Sequence, residues 1–179
     1  MNDHNFFLQP FSPVSPLLHL QITGNIERRA NTLAIHYALL GHLAELVIPA
    51  PADVPTRKNH LWEGTCFELF LAVKNSSQYW EFNLSPAGHW NVYRFGAYRQ
   101  GMQEEMGFTS LPFSIQKESD SLLLALEVEL DEIVQADQPL DVAISGVIEL
   151  KGGEVTYWAL IHRGPQADFH RRDSFILEL

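Results

Sequence analysis

Along most of the chain, apolar and polar positions alternate with a period of two or form short apolar runs, the pattern of strands rather than of amphipathic helices. Residues 17–23 alternate weakly and end at Gly24. An apolar run at 33–40 stops at Gly41, and a second at 43–48 stops at Pro49. Both read as strands. Residues 49–60 hold Pro49, Pro51 and Pro55 and read as a loop, because proline suits neither a helix interior nor a central strand.

The clearest signal lies at 66–95. Residues 66–73 form an apolar run interrupted by Glu68, and Asn75-Ser76-Ser77 makes a turn. Residues 78–84 then alternate, with Trp80, Phe82 and Leu84 on one face and Tyr79, Glu81 and Asn83 on the other. Ser85-Pro86-Ala87-Gly88 makes a second turn before a third strand at 89–95. Short turns between strands predict an antiparallel meander. In the second half, 113–117 and 122–128 flank Ser119-Asp120-Ser121, and 142–150 and 155–162 flank Lys151-Gly152-Gly153. Residues 130–134 read as one helical turn, and 175–179 as a closing strand. The pattern predicts an all-β, antiparallel fold of about nine or ten strands, a sandwich or a barrel, with no linker or repeat.

Composition narrows this further. A chain of 179 residues with 46% apolar content suits one domain, here 1–179, with a packed core. Twelve basic against 22 acidic residues give a net charge of −10, which disfavours a nucleic-acid partner. Eleven of the acids fall in residues 101–150 beside a single base, Lys117. No Asp-x-Asp-x-Asp-Gly loop is present to bind calcium, so this stretch reads as a solvated acidic face. No apolar run approaches the roughly 20 residues of a membrane helix. Residues 1–10 carry Asp3 and neither Lys nor Arg, unlike a secretion signal, and the expected location is the cytoplasm. The lone cysteine, Cys66, lies in an apolar strand and reads as a buried structural thiol.

The common nucleophile, phosphate-loop, dinucleotide and zinc-protease motifs are absent. Glu68 is the most informative residue: a carboxylate in an apolar strand must be paired, face a cleft or be protonated. Glu81 and Asn83 share a face of the neighbouring strand. Together they form the polar lining of a grooved sheet face, or, as a Glu68–Glu81 pair, an acid–base site for a glycoside. Trp62 lies at a loop exit beside Arg57, Lys58 and His60, and Trp90 follows a turn and shares its strand face with Arg94. Flat aromatic faces beside Asn, Glu and Arg suit a sugar, so these groups are candidate ligand contacts, whereas Trp80 alternates with Phe82 and Leu84 as a core residue does. His162 ends a strand, and His170 lies in the polar tail 165–173. Both are candidate contacts at the site's rim. Either could also pair with Met102 or Met106 on a haem iron.

Two segments carry a resemblance. Leu-Trp-Glu-Gly-Thr-Cys-Phe-Glu-Leu-Phe-Leu at 61–71, followed by Tyr-Trp-Glu-Phe-Asn-Leu-Ser-Pro-Ala-Gly-His-Trp at 79–90, resembles the DOMON-like, family 9 carbohydrate-binding-module superfamily, and more narrowly its small stand-alone bacterial DOMON-like members. Tyr157-Trp158-Ala159-Leu160, His162 and residues 165–170 extend the likeness, which spans about residue 35 to the end. The resemblance implies a β-sandwich whose relatives bind sugars through aromatic clamps and polar groups, or bind haem. It implies an acidic residue at the place of Glu68 and a turn of the form Asn83-x-x-Pro86-x-Gly88. The expected function is a non-catalytic module for a small sugar, working without a cofactor. A haem or metal carrier and a glycoside-acting enzyme are the alternatives.

Overall fold

The computed structural model describes residues 2–179. Twelve strands form among them: β1 Asn2–Pro10, β2 Gln21–Arg29, β3 Thr32–Leu40, β4 Cys66–Val73, β5 Tyr79–Leu84, β6 Trp90–Phe95, β7 Gln103–Glu104, β8 Phe113–Lys117, β9 Ser121–Glu129, β10 Leu140–Glu149, β11 Val155–Ala159 and β12 Leu177–Glu178. The pairings are antiparallel and run β7-β6-β5-β4-β10-β11-β1-β2-β3-β9-β8, with β12 added beside β10. Strand β1 is the hinge of this path. Its residues 2–8 pair with β2, whereas Gln9 and Pro10 pair with Ala159 and Trp158 of β11. The sheet therefore folds over on itself as a β-sandwich, with β8-β9-β3-β2-β1 on one side and β7-β6-β5-β4-β10-β11 on the other.

Period-two alternation builds the core between the two sides. From β4 and β5, Phe67, Leu69, Leu71, Trp80, Phe82 and Leu84 point inward. They meet Ile22, Ile26, Leu33, Ile35, Tyr37 and Leu39 of the facing sheet. Burying apolar side chains of this kind stabilises by roughly 1.5–3 kcal/mol each. The outer face of β4 and β5 is covered as well. Phe70, Ala72, Tyr79, Tyr93, Phe95, Ala143 and Phe175 form a second cluster there, with Trp62 and Phe169 packed against it. This second layer explains why β4, apolar but for Glu68, is buried on both faces.

The structure departs from the sequence expectations at several places. Strand β1 arises from residues not expected to pair, and β7 is a two-residue edge strand, so the count is twelve rather than nine or ten. Gly24 does not end a strand but lies within β2. A Cβ there would meet the carbonyl oxygen of His36 at 1.9 Å and the Phe6 ring at 2.5 Å, so glycine admits the Phe6 ring over the strand. Residues 43–48 are not a strand. Leu43–Glu45 forms a 3-10 turn, and Leu46 bridges to Leu150. The three-residue spacing of Leu43 and Leu46 lets this turn bury both side chains. Strand β11 stops at Ala159, three residues short of the expected end. Residues 130–134 do make one turn, with the Val134 amide donating to the Leu130 carbonyl. Most acids of 101–150 are exposed.

Candidate functional site

The outer face of β4, β5 and β10 floors a cavity of about 350 Å³. Glu68 on β4 stands opposite Asn83 of β5 and Ser145 of β10. Glu81 on β5 stands opposite Phe70 and Tyr93. The two acids are thus diagonal neighbours on one face, within reach of each other. Glu68 is 2% exposed and Glu81 4%. The Ser145 hydroxyl donates to Glu68 Oε2 at 3.0 Å, and Asn83 Nδ2 donates to Glu81 Oε1 at 2.9 Å.

The walls come from outside the meander. Trp62 is held in the 3-10 turn Leu61–Glu63 and packs edge-on against Tyr93 at 5.6 Å. Arg99 and Met102 come from the connection after β6, Tyr157 from β11, and Phe169 and His170 from the tail. Asp168 clamps that tail in place. It accepts hydrogen bonds from the Tyr98 hydroxyl at 2.5 Å, Arg99 Nη2 at 2.9 Å and the His170 amide at 3.1 Å.

Burial governs the electrostatics. It pushes the Glu68 carboxyl well above the carboxylate range; the nearby Glu81 adds to this, and the Ser145 hydrogen bond opposes it. Burial likewise raises Glu81 to about 7, against the pull of Asn83 and Arg99. His170 is pushed down to about 4 by burial and by the charge of Arg99, with Asp168 opposing. At Asp168, burial works to raise the carboxyl, but the hydrogen bonds from Tyr98 and Arg99 hold it below its ordinary value. At neutral pH, His170 is uncharged and Glu81 is near the midpoint of its titration.

Of the residues singled out in the sequence, the structure brings Trp62, Glu68, Glu81 and His170 to this cavity. Asn83 is fully buried beneath it and orients Glu81. Trp90 lies elsewhere: it faces the sandwich core with Val92 and is 5% exposed. The Arg57 guanidinium packs 4.4 Å over its ring and donates to Asn91 Oδ1 at 2.7 Å and to the Glu105 and Phe108 carbonyls. Arg57 thus ties a loop to the core. Arg94 is exposed and donates to Gln103 on the edge strand β7. The His162 ring bonds the Gln9 carbonyl at 2.8 Å, away from the cavity. Phe95 and Arg99 line the cavity without having been singled out as contacts. Gly96 and Gly101 flank residues 97–100, but no local pattern shows where that segment folds.

Of the expected haem ligands, His170 and Met102 line the cavity, whereas His162 and Met106 do not. His170 Nδ1 is taken by the Tyr79 hydroxyl, and its Nε2 faces Glu81 Oε2 at 3.7 Å. His162 is bound to Gln9, and Met106 is 72% exposed. Among the described residues, no three His, Cys, Asp or Glu side chains converge as metal ligands. No helix there is long and apolar enough to cross a membrane. Cys66 is buried and free, its thiol raised well above the ordinary range by burial.

No family model and no curated protein matches the chain. Solved structures share its fold. A candidate carbohydrate-binding protein from Bacteroides uniformis superposes with a TM-score of 0.65 at 15% identity, over 93% of this chain and 83% of that one. A family 9 carbohydrate-binding module from Caldicellulosiruptor kristjanssonii, in complex with cellotriose, gives 0.53 at 9% identity, over 90% and 74%. The same organism's family 9 module with glucose gives 0.52 at 10% identity, over 94% and 78%. The chain therefore has the β-sandwich fold found in family 9 carbohydrate-binding modules.

Proposed function

We propose that this protein is a non-catalytic binding module that takes a small sugar into the cavity over β4, β5 and β10. One observation carries the reading: an aromatic wall of Trp62, Phe95, Tyr157 and Phe169 meets a floor of hydrogen-bonding carboxyls, Glu68 and Glu81, in one cavity. A pyranose has the matching construction, an apolar ring face rimmed by hydroxyls. Stacking serves the face, and a few placed polar groups serve the rim. The fold shared with modules solved with glucose and cellotriose supports a sugar as the ligand class, as does the sequence resemblance to that superfamily.

The carboxyl arrangement favours binding over hydrolysis. Glycosidases place their two carboxyls on either side of the scissile bond. Glu68 and Glu81 rise from adjacent strands on one face of a sheet, so both approach a ligand from below. A net charge of −10 further disfavours a nucleic-acid partner.

Isothermal titration of neutral mono- and disaccharides into the wild type and Trp62→Ala tests the reading. Weak but saturable binding is expected, since an open site with few hydrogen bonds gives modest affinity. Trp62→Ala should weaken it about tenfold or more, the scale of a lost aromatic contact. Absence of binding to any sugar at millimolar concentration would overturn it.

A further inference from the structure

We infer that the sugar carries a protonated amine, whose ammonium group sits over Glu68 and Glu81. This deepens the sugar-binding reading and rests on it. Each carboxyl is nearly inaccessible, yet each has only one oxygen engaged by the protein, through Ser145 and Asn83 respectively. His170 Nε2 stands 3.7 Å from Glu81 Oε2, beyond hydrogen-bond distance. Among the described residues, no fully occluded side-chain polar atom lacks a partner. The free oxygens of the two acids therefore open into the cavity, which both residues line.

The one protein cation near them acts on Glu81 from a distance and is already paired. Among the described residues, Arg99 is the one arginine or lysine on the cavity wall, and its guanidinium is bound to Asp168 at 2.9 Å. His170 above the pair is uncharged, its Nδ1 held by Tyr79. Cys66, Tyr79 and Tyr93 flank the acids, and Tyr37 reaches the Glu68 carbonyl from the core. All four are raised and uncharged at neutral pH. Ionised, two buried acids with so little counter-charge are costly, which is why they hold on to protons. An ammonium group supplies that charge with three donors, and the aromatic walls add their negative π faces. A neutral sugar leaves the protons of the pair where they are. An amine displaces a proton from them as it binds.

Titration calorimetry at neutral pH and low salt tests this with glucosamine, galactosamine and mannosamine. Their neutral parents and N-acetyl forms are the controls. At least one amine should bind about tenfold tighter than both its parent and its N-acetyl form, the factor that about 1.4 kcal/mol gives. Its binding heat should vary with the ionisation heat of the buffer, showing proton release, whereas a neutral sugar's should not. Glu68→Gln and Glu81→Gln, checked for unchanged folding by melting, should abolish the preference. Parent sugars binding as tightly as the amines would overturn the inference and leave the sugar reading standing. An amine preference that survives both substitutions would overturn it too. If nothing in the panel binds, both fall.

Discussion

The hydroxyl of Tyr79 meets Nδ1 of His170 at 2.8 Å and also accepts the Arg99 amide at 3.2 Å. The other ring nitrogen of His170, Nε2, faces Glu81 Oε2 at 3.7 Å. One side chain of β5 thereby fixes both the tail and the 97–100 loop over the cavity. Tyr79→Phe removes this anchor and leaves the Arg99 amide without its acceptor. The expected cost is about 1–2 kcal/mol of stability, with faster hydrogen exchange in residues 165–172 and weaker sugar binding. Unchanged exchange in the tail would show that Tyr79 does not hold it.

The buried acids and His170 give stability opposite pH dependences. Folded Glu81 titrates near 7 rather than 4.5, and Glu68 is also raised. Between those values the folded state keeps protons that the unfolded chain has lost. Stability from these groups is therefore full below the unfolded value and falls as pH rises, by on the order of 3 kcal/mol for Glu81. His170 is lowered from 6.5 to about 4. Between those values the unfolded chain holds the extra proton, and stability rises with pH. His170 offsets only part of the acids' effect up to about pH 6.5, and above it the acids act unopposed. The melting temperature should fall between about pH 6.5 and 8, and the double variant Glu68→Gln/Glu81→Gln should flatten that fall. A rise in the wild type over this interval would contradict the assignment.

Trp90 and its Arg57 cap should behave as structure. Trp90→Ala empties a core position and is expected to cost about 3–5 kcal/mol. Arg57→Ala strips donors from the Glu105 and Phe108 carbonyls and from Asn91 and should cost about 1–3 kcal/mol. Chemical denaturation measures both. The folded fraction of Arg57→Ala should bind sugar as the wild type does, and a loss of affinity there would place Arg57 at the site.

Gly24 is expected to be among the least tolerant positions of β2. Gly24→Ala drives a methyl into the His36 carbonyl and the Phe6 ring. Backbone cannot yield as a flexible side chain can, so the expected loss is about 3 kcal/mol, the upper end for overpacking. A melting temperature unchanged from wild type would show that β1 and β2 separate more freely than this packing implies.

Strand β4 could be read from the sequence to its end residues because its run is apolar on both faces and bounded by turns. The faces of β5 were equally plain, and they placed Glu81 and Asn83 away from the core. Glu68 stood out because an acid in such a run demands an explanation. Trp62 and Trp90 looked alike, since each follows a loop or turn. The alternation of Trp90 with Val92 is the local signal that points it inward. Strand β1 was not legible, because its pairing switches from β2 to β11 within ten residues. Nor were Phe95 and Arg99 as cavity walls. Their place depends on Tyr79 and Asp168 drawing the tail across the sheet, which no local period encodes.

The most direct test is a heteronuclear NMR titration that follows the four tryptophan indole N–H signals as sugar is added. Trp80, Trp90 and Trp158 are core residues, and the Trp80 and Trp158 indoles donate to Glu105 and Thr156. Trp62 lines the cavity. Saturable movement of the Trp62 signal, with the other three still, is the result expected of a sugar seated over Glu68 and Glu81. A Trp62 signal that stays fixed at saturating sugar would contradict it.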